Sequence, residues 1–84
     1  MTPSPHPQDL AFLNEILAEF ENDPEMRESL MRERIEAART YLTLSMPSEY
    51  QLELKLAEGV LDEVPDTAMR NRIAEFLRGQ RGHP

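Results

Sequence analysis

"SEYQLELKL", residues 48–56, decides the fold. Tyr50, Leu52, Leu54 and Leu56 stand at every second position, which is the signature of a half-buried strand. Three features argue the other way. Ser48 with Gln51 three residues later is a capping-box pattern, Leu, Glu, Lys and Ala dominate the stretch from Leu52 to Leu61, and no second strand-like segment exists in the chain to pair with it. The stretch is read as a helix from about Ser48 to Val64. On a wheel of roughly 100° per residue, Tyr50, Leu54, Ala57, Leu61 and Val64 form one stripe, while Leu52 and Leu56 lie to its side with Val60 between them. The apolar arc spans roughly 200°, about twice what a surface helix needs. The alternation therefore marks a helix with two apolar sides.

Working outward, Leu10, Leu13, Leu17 and Phe20 recur at helical spacing, with Phe12 and Ile16 widening the stripe, so a first helix is expected from about Gln8 to Asn22. At "NDP", Asp23 is a suitable N-cap and Pro24 a favourable first helical residue. A second helix is then expected to start at once, after a two-residue corner, and to run to about Leu44. Met26, Leu30, Ile35, Ala38, Tyr41 and Leu42 would be its inner face, and Ser45, Met46 and Pro47 would end it. Downstream of "VPD", Asp66 is expected to cap a fourth helix from about Thr67 to Arg78, with Met69, Ile73, Phe76 and Leu77 inward and Gly79 as its C′ residue. The fold class is all-α: a small bundle of about four short helices, or two helical hairpins. Residues 1–8 read as a disordered Pro-rich tail, 9–79 as one domain and 80–84 as a frayed end. Leu13, Glu15, Asp23, Met26, Arg27 and Leu30 recur 43 residues later as Leu56, Glu58, Asp66, Met69, Arg70 and Ile73. That echo fits either a duplicated hairpin or two similar Asp-capped corners.

The net charge of −7 on 84 residues argues against nucleic acid as a direct ligand. The charge alternates in blocks: residues 9–26 carry only acids, 27–39 are Arg-rich, 40–69 are acidic and 70–84 are Arg-rich again. Such blocks predict helices that attract one another across a bundle, each exposed pair worth tenths of a kcal/mol. Without cysteine there is neither a disulfide nor a thiolate metal site. No signal peptide and no membrane span are evident, so a cytoplasmic location is expected.

No pattern for catalysis emerges. Glu15 with Glu19, and Asp62 with Glu63, are carboxylate pairs without a His or Cys beside them, His6 and His83 lie in the two tails, and Ser45 and Ser48 read as cap residues. No cofactor, metal or small-molecule substrate is expected. The four Arg of residues 27–39 are matched by Glu28, Glu33 and Glu36, a pattern of ion pairs along a helix rather than an RNA-binding face. What remains is the wide arc of the third helix. Tyr50, Leu52, Leu54, Leu56, Ala57, Val60 and Leu61 are the expected contact residues for another protein, or for a second copy in a homodimer. The expected function is a non-enzymatic adaptor, co-chaperone or small regulatory subunit. The rival reading is an acidic inhibitor that mimics nucleic acid through the first helix, with Glu15, Glu19 and Glu21 as its working groups.

"MRERIEAA" at 31–38, a break, and then "PSEYQ" at 47–51 entering a helix resemble the small E-type co-chaperones of type III secretion needle subunits. The resemblance covers about 35 residues and implies a helical hairpin bound to a TPR-like chaperone, with Tyr50, Leu54, Ala57 and Leu61 facing that partner. The linker between the matched segments is shorter here, and the fourth helix and the tail have no counterpart. Glu49 and Tyr50 with Leu52 and Leu54 also resemble the hairpin adaptors that direct phycobilisome degradation, over a smaller part of the chain.

Overall fold

The computed structural model describes residues 7–81, whose regular structure is all helical: α1 (Pro7–Glu21), α2 (Leu30–Thr43), α3 (Pro47–Gly59) and α4 (Thr67–Arg81), with a 3-10 turn at Leu61–Glu63. No strand occurs among the described residues, so the 48–56 alternation is helical. The expected Pro-rich tail lies outside them up to residue 6, and so do residues 82–84 of the expected frayed end.

Several expected boundaries are corrected. α1 starts at Pro7, one residue before the expected Gln8, so residues 7 and 8 leave the expected 1–8 tail, consistent with the preset φ of proline at a helix start. Gly79 does not end α4, which runs on to Arg81; Gln80 is held by hydrogen bonds to α3 and α1 that carry the helix past the glycine. Asp23 does not cap α2. Its carboxylate accepts from the Glu25 N–H (3.0 Å) and its carbonyl from the N–H groups of Met26 and Arg27, closing one isolated turn. The cap is Ser29, whose Oγ accepts from the Arg32 N–H (3.1 Å) and donates to the Met26 carbonyl (2.8 Å). Residues 22–29 thus form a linker that turns Met26 into the core, and Leu30, expected inward, is exposed.

The break between α2 and α3 is a Schellman closure. The Met46 N–H donates to the Tyr41 carbonyl (2.9 Å) and the Ser45 N–H to that of Leu42 (3.2 Å), with Ser45 in the left-handed region at φ 58°. Pro47 then opens α3 behind Met46, so Ser48 lies inside the first turn and the expected capping box does not form. At its other end α3 stops at Gly59 rather than Val64. Leu61 and Val64 reach the core through the 3-10 turn, with Val64 extended ahead of Pro65. Asp66 does cap α4, accepting from the Met69 N–H at 3.0 Å.

Cross-helix contacts fix the topology. Arg32 meets Glu21 and Arg39 meets Asn14, so α2 runs antiparallel to α1. Arg34 meets Glu53 across a three-residue link, so α3 runs antiparallel to α2, the most closely packed pair. Phe12 stacks on Phe76 (centroids 4.4 Å apart, 12° between planes) while Arg72 meets Glu15 and Glu19, so α4 runs antiparallel to α1 and closes the ring beside α3. The interior is apolar. Leu13, Ile16, Phe20, Ile35, Ala38, Ala57, Val64 and Ile73 are completely enclosed, and no charged or polar residue is buried among the described ones. The charge blocks do attract as expected: acidic α1 receives Arg32 of α2 and Arg72 of α4.

The 43-residue echo is local. At both corners the Asp carbonyl accepts the Arg N–H at 2.9 Å, Met26 and Met69 are buried, and Arg27 and Arg70 each donate to a carbonyl six residues upstream, Glu21 and Val64. Beyond the corners the equivalence fails: Leu13 is enclosed but Leu56 exposed, and Leu30 is exposed but Ile73 enclosed. Two corners are built alike; two hairpins are not.

Candidate docking face

The inner stripe of α3 belongs to the bundle. Tyr50, Leu54 and Ala57 are buried, and Val60 and Leu61 are half-buried against the same core. Five of the seven expected contact residues are thereby taken up in folding. Tyr50 is also anchored by its hydroxyl, which donates to Gln80 Oε1 (3.0 Å), while Gln80 Nε2 donates to Asp9 Oδ1 (3.1 Å). This relay ties α3, α4 and α1 together. Burial first, and then the negative charge of Asp9, push the Tyr50 hydroxyl well above the ordinary tyrosine pKa.

Leu52 and Leu56 point away from the core, and they have company that the sequence pattern did not reveal. Among the described residues the exposed large hydrophobic ones are Leu30 (47%), Leu44 (60%), Met46 (36%), Leu52 (55%) and Leu56 (44%), all within the α2–α3 hairpin and none on α1 or α4. The Arg34–Glu53 bridge (2.9 Å) sets their register. Leu30 is one turn before Arg34 and Leu56 one turn after Glu53, so in antiparallel helices the two stand level. Leu52 comes level with the middle of α2, and Leu44 and Met46 close the far end at the interhelix turn. The strip runs along the 14 residues of α2, roughly 20 Å at 1.5 Å per residue. A wheel places Leu30, Ala37, Tyr41 and Leu44 on a single flank of α2, beside Arg34 and roughly 100° from the buried Met31, Ile35 and Ala38, the flank turned toward α3. The signal was in the spacing, but the sequence reading puts Leu30 and Tyr41 on the inner face.

Acids border this strip. Glu28 and Glu33 flank Leu30, and Glu49 stands one turn before Leu52 and Glu53; none of the three forms an ion pair among the described residues. Leu52 stands at the outer crest of α3, because it also lines, with Gln51 and Lys55, a groove of about 380 Å³ toward α4 that is floored by Leu54 and Leu77.

The other candidates are engaged structurally. Glu15 and Glu19 share Arg72 (3.6 and 2.8 Å), Glu21 takes Arg32 (2.9 Å), and Arg32 also meets Glu36 one turn along α2. Asp62 and Glu63 are carried by the 3-10 turn at the surface, Ser45 and Ser48 are exposed, and His6 and His83 lie outside the described residues. No group of three or more His, Cys, Asp or Glu arranged to hold a metal occurs among the described residues, and no helix there is long and apolar enough to cross a membrane.

The molecule is thus a small all-α bundle of four antiparallel helices, one hairpin of which carries an uncovered apolar flank. Comparison with protein-family models finds none that matches the chain, and neither the curated proteins nor the solved structures provide a match.

Proposed function

We propose that the protein is a non-enzymatic binding module that docks another protein on the outer flank of the α2–α3 hairpin, as an adaptor, co-chaperone or small regulatory subunit acting in the cytoplasm. One observation carries this reading: every large exposed hydrophobic residue described lies on that hairpin, although the core closes without them. Scattered surface leucines are ordinary, whereas their concentration on one flank is the pattern of an interaction site. A co-chaperone role of the kind implied by the resemblance would use Leu52 and Leu56, because Tyr50, Leu54 and Ala57 are enclosed. The inhibitor reading loses support from the same structure, since Glu15, Glu19 and Glu21 are engaged by Arg72 and Arg32 within the bundle.

The test is affinity capture from the native host's lysate with the wild-type chain and with the double variant Leu52→Glu, Leu56→Lys. A stoichiometric partner retained by the wild type in high salt and absent from the variant is the expected result. A partner lost instead from Glu15→Gln, Glu19→Gln, Glu21→Gln, and released by salt from the wild type, would return the inhibitor reading.

A further inference from the structure

We infer that the occupant of the α2–α3 flank is an amphipathic helix of another protein, about three to four turns long, with basic residues along its edges; this rests on the docking reading above. The length is set by the strip, which is roughly 20 Å from Leu30 with Leu56 to Leu44 with Met46, the span of about 14 helical residues. The shape is set by side chains along both helices, Leu30 at the start of α2 and Leu44 at its C-cap, with Leu56 on the facing flank of α3 and Leu52 at its crest. A third helix can lie in the valley between the two with its residues spaced i, i+3, i+4 and i+7. The basic edges are required by charge. Glu28, Glu33 and Glu49 border the strip with no cation paired to them among the described residues, while the arginines nearest to it are already used, Arg34 by Glu53 and Arg32 by Glu21 and Glu36, and the single cation beside the leucines, Lys55, lies on the α4 side of Leu52. A second copy of this chain meets the opposite condition, because it would bring the same acids and a further net charge of −7 to the face.

The experiment pans a displayed library of random helical peptides against the whole immobilised protein and, in parallel, against the Leu52→Glu, Leu56→Lys variant, with circular dichroism confirming that both are folded. Enriched peptides made synthetically are then titrated by fluorescence anisotropy. The expected winners carry apolar residues at i, i+3 or i+4, and i+7 with Lys or Arg at the flanking positions. They should lose at least about tenfold in affinity on the leucine variant, and about three- to tenfold on Glu28→Gln, Glu33→Gln, Glu49→Gln, with the second loss disappearing in high salt. Winners with neutral or acidic edges would overturn this inference and leave the docking reading standing. Peptides that bind both proteins equally, or no enrichment at all, would overturn the docking reading itself. Sedimentation equilibrium showing a dimer of the wild type, made monomeric by the leucine variant, would assign the face to a second copy and reject the basic helix.

Discussion

Replacing Tyr50 by Phe separates a packing contribution from a titration, because the ring stays and only the hydroxyl goes. Near pH 8 the wild type keeps the bond from Tyr50 to Gln80 that links α3 through Gln80 to Asp9. Its loss should destabilise the variant by about 1 kcal/mol, the usual net worth of a hydrogen bond. At alkaline pH the sign reverses. The Tyr50 hydroxyl is held well above the ordinary tyrosine value in the folded state by burial and by Asp9, so the unfolded chain gives up its proton first. Stability from this group is complete below about pH 10, the unfolded tyrosine value, and drains away as pH rises above it. At about pH 11 the unfolded state gains RT ln(1 + 10), about 1.4 kcal/mol, from Tyr50 alone. The variant lacks this loss. Urea unfolding monitored by circular dichroism should show Tyr50→Phe less stable by about 1 kcal/mol near pH 8 and equal to or slightly more stable than wild type near pH 11. A gap that stays constant between the two pH values would refute a buried, proton-holding Tyr50.

The cap assignments predict that Ser29→Ala and Asp66→Ala each lower stability by about 1 kcal/mol in urea titrations, since each removes the acceptor for an N–H in the first turn of α2 or α4. Ser45→Gly should raise the melting temperature by the equivalent of about 0.5–1 kcal/mol, because a left-handed residue at φ 58° strains every side chain but glycine's. Leu54→Ala should cost about 2–5 kcal/mol, whereas Leu52→Glu with Leu56→Lys should shift stability by no more than about 0.5 kcal/mol. A large loss from the exposed pair would place Leu52 and Leu56 in the core and remove the docking face.

Helix existence was legible wherever apolar residues recur at 3.6-residue spacing, and α1 and the start of α4 are explained by that pattern and by Asp66. The parts that were not legible came from competition between equally good local signals. Asp23-Pro24 has the chemistry of a helix start, yet Ser29 takes the role because the chain needs residues 22–29 to bury Met26 before turning back along α1. Leu30, by contrast, lies roughly 100° around α2 from the buried Met31, so placing it in the core misread the wheel and hid half of the candidate face. Likewise Ser48 and Gln51 imitate a capping box, but Pro47 occupies the first helical position and carries the start upstream. The excess width of the α3 arc was readable, since it depends only on spacing. Which of its residues the core would absorb was not, because that depends on how α4 closes over Tyr50 and Leu54.

The distribution of charge strengthens the argument from apolar exposure. In this bundle α1 and α4 direct charged residues at one another or at α2: Glu15 and Glu19 at Arg72, Glu21 at Arg32. Those helices turn their large apolar groups inward and hold these acids in pairs. The α2–α3 hairpin also pairs charges, Arg34 with Glu53 at the seam and Arg32 with Glu36 along α2, but it leaves leucines outside and, among the described residues, Glu28, Glu33 and Glu49 without counter-ions. A domain this small buries a limited fraction of its surface and has little stability to spare. Five exposed large hydrophobic residues contribute nothing to its core and raise the tendency to associate. Gathered on one flank and rimmed by unneutralised acids, they are explained by a partner that covers both at once, with apolar residues down its centre and positive charge along its edge.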